Sequence, residues 1–185
     1  MEPALKNQKH YTYADYCALE DETRYEVQDG MLCVMEAPTY YHQGISANIL
    51  TKLLIYAQGK PYKVFHAPFD VRFNADGKDD MVLQPDIIVI CDRSILSKSG
   101  CAGVPDMVVE ILSPTTASRD RLEKFNIYLR FGVREYWIVD PNTKTIYVNL
   151  LQNGHYATTT YTEGETAPVH VLPGCEVDVG EVFAE

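Results

Sequence analysis

The period of the apolar positions changes several times along the chain, and each change predicts an element. Residues 24–36, RYEVQDGMLCVME, alternate around Asp29-Gly30, which predicts a β-hairpin with a two-residue turn. Thr12 and Asp15 have the spacing of a capping box, which predicts a short helix over roughly 13–20. A longer helix over roughly 40–58 is predicted by a one-sided stripe at helical spacing, formed by His42, Ile45, Ile49, Leu53 and Tyr56.

The rest of the chain reads as strands around one more helix. Short strands are predicted near 62–66, 69–73, 86–91 and 106–111, and another in REYWIVD, residues 134–140. A helix near 117–131 ends at Gly132. Turns at Asn153-Gly154 and Pro173-Gly174 predict terminal hairpins. Strands interrupted by two substantial helices indicate a mixed α/β sheet, and no repeat or linker divides residues 1–185, so we expect a single domain.

Two acidic residues lie in or next to apolar runs, where burial of a carboxylate is energetically unfavourable. Glu110 stands between Val109 and Ile111, and Asp86 begins the run before it. A buried, unpaired carboxylate costs several kcal/mol, so Glu110 needs a buried cation or belongs to a site that uses ionised oxygen. If the two strands are neighbours, both carboxylates and the Ile111 carbonyl can share Mg²⁺, with Mn²⁺ as the expected substitute.

Composition narrows the possible partners. The formal net charge of −10 argues against broad electrostatic attraction to nucleic acid or to an anionic membrane. No apolar run approaches the length of a membrane span, and the five cysteines form no CxxC pair, so we expect reduced thiols in a cytoplasmic protein. A local basic groove stays possible, because the densest basic stretch comprises Lys98, Arg119, Arg121, Lys124, Arg130 and Arg134.

The residues around these acids resemble a known family. Pro85-Asp86 followed by an apolar strand with Glu110 resembles the PD-(D/E)XK nuclease superfamily. Residues 104–141, together with YEVQDG and a helix that starts near His42, resemble the Uma-two family of restriction-endonuclease-like proteins over roughly 12–180. The resemblance implies a restriction-endonuclease-like mixed central sheet flanked by helices, with added β-hairpins at both ends.

The sequence departs from the superfamily pattern at the lysine. The expected position, two residues after Glu110, holds Leu112, which cannot move a proton. The family resemblance places the lysine at Lys124 on the next helix, and a four-carbon stem can reach back to the strand end. On that helix we expect Asp120, Lys124 and Tyr128 to share one face, with a buried face formed by Leu122, Phe125 and Leu129. The alternative is that Lys124 only pairs with Asp120.

Other polar residues carry two interpretations each. The resemblance implies a functional acid at Glu26 and a phosphate or substrate contact at His42. The alternative for Glu26 is a polar position on a two-faced strand, and the alternative for His42 is a core or capping residue. Gln84 shares the predicted face of Asp86 and could hold a water molecule there. Asp106 lies on the strand face of Glu110 but at the start of the strand, so we expect no catalytic role.

Three functions follow from these features. The first is a Mg²⁺-dependent endonuclease that hydrolyses phosphodiesters in DNA, with Asp86 and Glu110 on the metal, Lys124 on the attacking water and Glu26 in support. We expect weak, salt-sensitive DNA binding, and a homodimer, since cutting a duplex requires two sites. The second is an inactive nuclease-fold binding module for nucleic acid or protein, favoured by Leu112 and the net charge. The third is a β-rich interaction protein with no site.

Overall fold

The computed structural model describes residues 9–113 and 117–184. For residues 117–121 it describes the backbone only. Within this part of the chain, helical structure comprises α1 (Tyr13–Cys17), α2 (Tyr40–Ala57), α3 (Ala117–Phe131), α4 (Val179–Val182) and a 3₁₀ turn at Arg93–Ile95. The strands are β1 (Tyr25–Gln28), β2 (Met31–Val34), β3 (Lys63–His66), β4 (Val71–Arg72), β5 (Val82–Leu83), β6 (Ile87–Ile90), β7 (Leu96–Ser97), β8 (Gly100–Ala102), β9 (Met107–Ile111), β10 (Glu135–Asp140), β11 (Thr145–Gln152), β12 (His155–Tyr161), β13 (Thr166–Val169) and β14 (Cys175–Asp178).

The central sheet has the strand order β12-β11-β10-β9-β6-β3. Its β9 and β10 are parallel, and its other neighbouring strands are antiparallel. Parallel neighbours need a long crossover connection, and α3 lies in the segment that joins β9 to β10. The predicted mixed α/β architecture is therefore confirmed.

A second six-stranded sheet accompanies the central one, with the order β2-β1-β5-β4-β8-β7. The sequence predicted its β1–β2 hairpin but not β5, β7 or β8. Each of these strands has only two or three residues. A run of that length contains too few positions to show a period of two, so pattern alone could not find it.

The central sheet is buried on both faces. One set of alternate residues on its inner strands, for example Val109 and Trp137, packs against α2 and the C-terminal β13, β14 and α4. Ile45 of α2 belongs to this core. The other set packs against the second sheet and α3, as Val71, Val108 and Tyr136 illustrate. Because strand side chains alternate between faces, Glu110 lies on the face of Val108, toward the second sheet and α3.

Local signals in the sequence predicted several elements correctly. Asp29 and Gly30 have positive φ angles of 48° and 79°, as the tight hairpin turn requires. The Thr12–Asp15 capping box is present, although α1 ends at Cys17 rather than near residue 20. Helix α2 begins after Thr39, whose side chain accepts a hydrogen bond from the His42 N–H, and it buries the predicted Ile45, Ile49 and Leu53.

The predicted buried face of α3 is wrong at Leu122 and omits Tyr128, whereas Phe125 packs against the core as predicted. Leu122 is 64% exposed, whereas Ile127 and Tyr128 are buried, Tyr128 completely. The helix is rotated so that Lys124 and Tyr128 point toward the sheet and hydrogen-bond Glu110. Hydrogen bonds to a charged group contribute about 1.5–3 kcal/mol each, which together outweigh the burial of one leucine. The side chain of Asp120 lies outside the described residues.

Two further features concern the cysteines and the helices. None of the five cysteines forms a disulfide, and Cys101 and Cys175 are the buried ones. In the part of the chain with described coordinates, no helix combines the length and apolarity needed to cross a bilayer.

Neighbouring leucines on α2 offer a test of this packing. Leu53 is fully buried against the central sheet, and Leu54 is 47% exposed. We expect Leu53→Ala to lower the free energy of unfolding by about 2–5 kcal/mol, because it removes buried methyl groups and leaves a cavity. Leu54→Ala, the matched control, should change it by about 0.5 kcal/mol or less. Urea denaturation measures both, and equal losses would contradict the assigned face.

Candidate active site

The pairing of β6 with β9 brings the two predicted acids together. These strands are antiparallel, with Ile87 opposite Val109 and Ile88 opposite Val108. Continuing the register by one residue places Asp86 opposite Glu110, at the end of the central sheet. The expectation that two neighbouring strands carry these carboxylates is therefore met by the fold.

Glu110 is buried and receives two hydrogen bonds through one oxygen. Its residue is 8% exposed, and its Oε1 accepts from Lys124 Nζ at 2.8 Å and from the Tyr128 hydroxyl at 2.5 Å. Lys124 and Tyr128 are four residues apart on α3, so both project from one side of the helix. The buried cation that the sequence required for Glu110 is Lys124.

Asp86 is held from two sides. Its Oδ2 accepts a hydrogen bond of 2.7 Å from the Ile111 backbone N–H, and His42 Nε2 lies 3.2 Å from the same oxygen. His42 comes from the first turn of α2, on the other side of the central sheet from α3. Its Nδ1 is buried and has no hydrogen-bond partner among the described residues.

The two carboxylates share one pattern of hydrogen bonding. In each, one oxygen is engaged by two neighbouring groups: Glu110 Oε1 by Lys124 and Tyr128, Asp86 Oδ2 by Ile111 and His42. Glu110 Oε2 and Asp86 Oδ1 receive no hydrogen bond from the residues that the structure describes. Each acid therefore has one fixed oxygen and one oxygen that we call open, meaning that no described residue donates to it.

Glu26 is bound differently and leaves no comparable open oxygen. It lies buried in β1, and its Oε1 accepts from Lys124 Nζ at 3.2 Å and from the Gln84 backbone N–H at 3.0 Å. Its Oε2 accepts from Gln28 Nε2 at 3.2 Å. Glu26 therefore acts on Lys124, holding the ammonium between itself and Glu110.

Burial and charge shift the pKa values of this cluster in opposite directions. The pKa of Glu110 is raised to about 7: burial is the largest cause, the positive charge of Lys124 opposes it, and the negative charges of Asp86 and Glu26 add to it. Burial lowers the pKa of Lys124, but Glu110 and Glu26 outweigh it, and the pKa rises well above the ordinary value. Lys124 is thus an ammonium at neutral pH, able to donate hydrogen bonds but not to accept a proton.

The pKa of His42 is set by the same two opposing effects, burial and neighbouring charge. Burial lowers the pKa of His42, but the hydrogen bond to Asp86 and the charges of Asp86 and Glu110 outweigh burial, so the pKa is raised. Its side chain is only 14% exposed and is directed at Asp86. This geometry favours a role in fixing Asp86 over the predicted direct contact with a phosphate.

Gln84 and Asp106 have structural partners of their own. The Gln84 amide bonds to Arg24, Tyr16 and Asp70 rather than pointing to the Asp86 side, so the predicted water contact is wrong. Asp106 accepts from the Cys91 backbone N–H and from Arg134 at the start of β9. It lies at the opposite end of the strand from Glu110, in agreement with its expected absence from the site.

The predicted basic stretch is largely neutralised where its side chains are described. Arg130 forms a salt bridge with Asp29, and Arg134 forms one with Asp106. Lys98 lines an open cavity of about 380 Å³ together with Asp70, Gln84 and other residues. The side chains of Arg119 and Arg121 lie outside the described residues.

Tyr128 is the site residue that the sequence did not reveal. The sequence placed it on the same helical face as Lys124 but treated that face as polar and exposed. The available signal was the four-residue spacing from Lys124, which puts two donors over one acceptor. Leu112, at the position of the superfamily lysine, is buried in the apolar core between the sheets.

The mixed α/β sheet, with paired acids on neighbouring strands, has the arrangement that the resemblance to restriction-endonuclease-like proteins implied. The family Uma2, described as "Putative restriction endonuclease", matches residues 11–180. The match covers most of the chain, and the chain belongs to this family, which confirms the predicted resemblance.

A solved structure supports the fold independently. A crystal structure described as "a putative nuclease belonging to DUF820", from Anabaena variabilis ATCC 29413, is similar with a TM-score of 0.75. The two chains are 21% identical, and the similarity covers 94% of this chain and 97% of that chain. No curated protein sequence matches the chain.

The raised pKa of Glu110 predicts a pH dependence of stability in the absence of divalent ions. Between pH 4.5, the ordinary pKa, and about 7, folded Glu110 holds its proton more than unfolded Glu110 does. The folded state binds more protons in this window, so the contribution of Glu110 to stability falls as pH rises. Relative to Glu110→Gln, the parent should lose stability across the window, measured by urea unfolding in chelator. Parallel pH profiles would contradict the assigned burial.

Proposed function

We propose that the chain is a Mg²⁺-dependent endonuclease that hydrolyses phosphodiester bonds in DNA. The observation that carries this proposal is the pair of open oxygens, Asp86 Oδ1 and Glu110 Oε2, next to the protonated Lys124. A purely structural ion pair would not need two neighbouring acids that are each fixed through one oxygen only. The description of the Uma2 family supports nuclease activity, and restriction enzymes act on DNA.

The donor set fits a hard divalent cation. Among the side chains of residues 9–113 and 122–184, no three or more His, Cys, Asp or Glu are grouped as a preformed metal cage. Mg²⁺ commonly uses one or two carboxylates and keeps several waters, so Asp86 and Glu110 suffice, and the Ile111 carbonyl is our third candidate ligand. When bound, Mg²⁺ would make water more acidic and offset negative charge on the phosphate.

Lys124 supplies the fixed positive charge of the site. Its ammonium can donate to the attacking water or to a phosphate oxygen, and its high pKa rules out a role as the base at neutral pH. Glu26 and Glu110 hold the ammonium from two sides, so it is oriented before substrate arrives. Preorganised donors of this kind are effective because they need no rearrangement during the reaction.

His42 and Glu26 complete the proposed machinery. His42 fixes Asp86 Oδ2, which keeps the other oxygen available, and Glu26 fixes the ammonium of Lys124. Ligating carboxylates that are themselves hydrogen-bonded are oriented for the metal, and losing such a partner typically lowers affinity or activity by about 10–100-fold. Both residues therefore act through a neighbour.

DNA binding should be weak and salt-sensitive. The net charge of −10 opposes approach to DNA, and two of the described arginines of the basic stretch are already paired with carboxylates. We also propose a homodimer, because one site can cut one strand of a duplex. An inactive binding module is the second candidate, and Leu112 is the residue that favours it. An argument against the binding module is that Lys124 brings an amine from α3 to Glu110, which replaces the lysine missing at position 112.

Loss of the two acids should abolish metal binding. Mn²⁺ or Mg²⁺ at a hundredfold excess over Kd should stabilise the parent by about 2.7 kcal/mol, because only the folded state binds it. Asp86→Asn and Glu110→Gln keep the side-chain shapes but should lose this stabilisation in thermal melts with and without metal. Asp106→Asn removes a carboxylate at the other end of β9 and should behave like the parent. A parent melt indifferent to both ions would contradict the site.

Replacement of Lys124 by methionine should separate catalysis from metal binding. We expect Lys124→Met to lower plasmid cleavage by roughly 10²–10³, the usual effect of losing one preorganised hydrogen-bond donor to the reacting groups. Metal binding should persist, because both open oxygens remain. Without metal the variant should be less stable by about 3–5 kcal/mol, since two buried carboxylates lose their cation.

The matched control is Lys52→Met, which removes an exposed lysine paired with Glu181 on the surface. It should cleave plasmid as the parent does. A fully active Lys124→Met protein would show that Lys124 is structural only. A parent that binds metal and DNA but never cleaves would favour the binding module.

A further inference from the structure

The Tyr128 hydroxyl donates to the same Glu110 oxygen as Lys124. The distances to Oε1 are 2.5 Å from the tyrosine oxygen and 2.8 Å from the lysine nitrogen. Lys124 Nζ is shared with Glu26, whereas the structure gives Tyr128 no other hydrogen-bond acceptor among the described residues. Tyr128 is thus the donor dedicated to Glu110.

The surroundings of Tyr128 fix the direction of its hydroxyl. The residue is fully buried, and its ring packs edge-on against Tyr136 with centroids 4.8 Å apart and tilted against Phe73 at 5.8 Å. A phenylalanine would satisfy this apolar packing equally well. A buried hydroxyl needs a partner, and leaving one unpaired costs about 1–3 kcal/mol, so the oxygen is explained by Glu110.

The side chain of Tyr128 is held more firmly than that of Lys124. Its two-torsion side chain is locked by the packed rings, whereas the lysine stem has four rotatable carbons and is divided between two acids. Lys124 can use its third N–H for water or phosphate, and Tyr128 remains on Oε1 throughout.

We infer that Tyr128 is a positioning residue that holds Glu110 by Oε1, so that Oε2 stays open to a divalent cation while Lys124 serves the substrate. The inference rests on the proposed function, because it assigns the cation to one atom of that site. The two donors of α3 then have different roles, since the tyrosine orients the ligand and the lysine acts on the reacting groups.

Tyr128→Phe tests this division of roles, because it removes the hydroxyl and keeps the ring. We expect Mn²⁺ affinity, measured by titration calorimetry, to fall about 10–100-fold, the usual effect of losing a hydrogen bond to a ligating carboxylate. With metal at saturation, cleavage should recover much of its kcat, and the KM for DNA should stay unchanged. Lys124→Met should show the reverse, with metal affinity kept and kcat lost.

The matched control is Tyr156→Phe. The Tyr156 hydroxyl donates to the Val133 carbonyl at 2.9 Å, and its ring packs against Phe125 in the same aromatic cluster. This variant loses a partly buried tyrosine hydroxyl of similar kind but no contact with Glu110. It should match Tyr128→Phe in loss of melting temperature and match the parent in Mn²⁺ affinity.

A double variant keeps the test decisive if Tyr128→Phe is poorly folded. In a Glu110→Gln background, where metal binding is already lost, adding Tyr128→Phe should lower the melting temperature less than it does in the parent, because the carboxylate that the hydroxyl holds is gone. Unaltered Mn²⁺ affinity in Tyr128→Phe, or an equal loss in Tyr156→Phe, would overturn the inference and leave the proposed function standing. A parent chain that binds no Mn²⁺ would overturn both.

Discussion

The burial of Glu110 is the constraint on which the site and the position of α3 depend. A carboxylate between apolar strand residues needs strong donors, and the chain supplies an ammonium and a hydroxyl from one helix face. Meeting that demand turns Leu122 toward solvent and Tyr128 into the core. The orientation of the helix is therefore set by electrostatics at one residue more than by its own apolar pattern.

Features encoded within a few residues could be predicted from the sequence. The capping box at Thr12, the Asp29-Gly30 turn and the buried stripe of Ile45 and Ile49 each depend on local spacing or on backbone conformation. The two strands of the acids were also predictable, since long apolar runs show strand length clearly. The short strands of the second sheet were not, because they exist through pairing with distant residues.

In the candidate site, too, local features could be predicted and contacts between distant residues could not. Asp86 and Glu110 stood out because charge in an apolar run is costly, and the lysine was placed by family resemblance. The hydrogen bonds of Glu26 could not be predicted, because they come from residues far away in the sequence. They join Lys124 to Glu26 across 98 positions and Gln84 to Glu26 across 58. Nothing in the local sequence of Tyr128 reveals that its hydroxyl meets Glu110.

The sharing of Lys124 between Glu26 and Glu110 ties together three parts of the fold. Glu26 belongs to the second sheet, Glu110 to the central sheet, and Lys124 to the crossover helix between β9 and β10. The ammonium reaches its place only after the two sheets have docked against each other. On the proposed function, a chain in which the two sheets have not docked consequently lacks an assembled cutting centre.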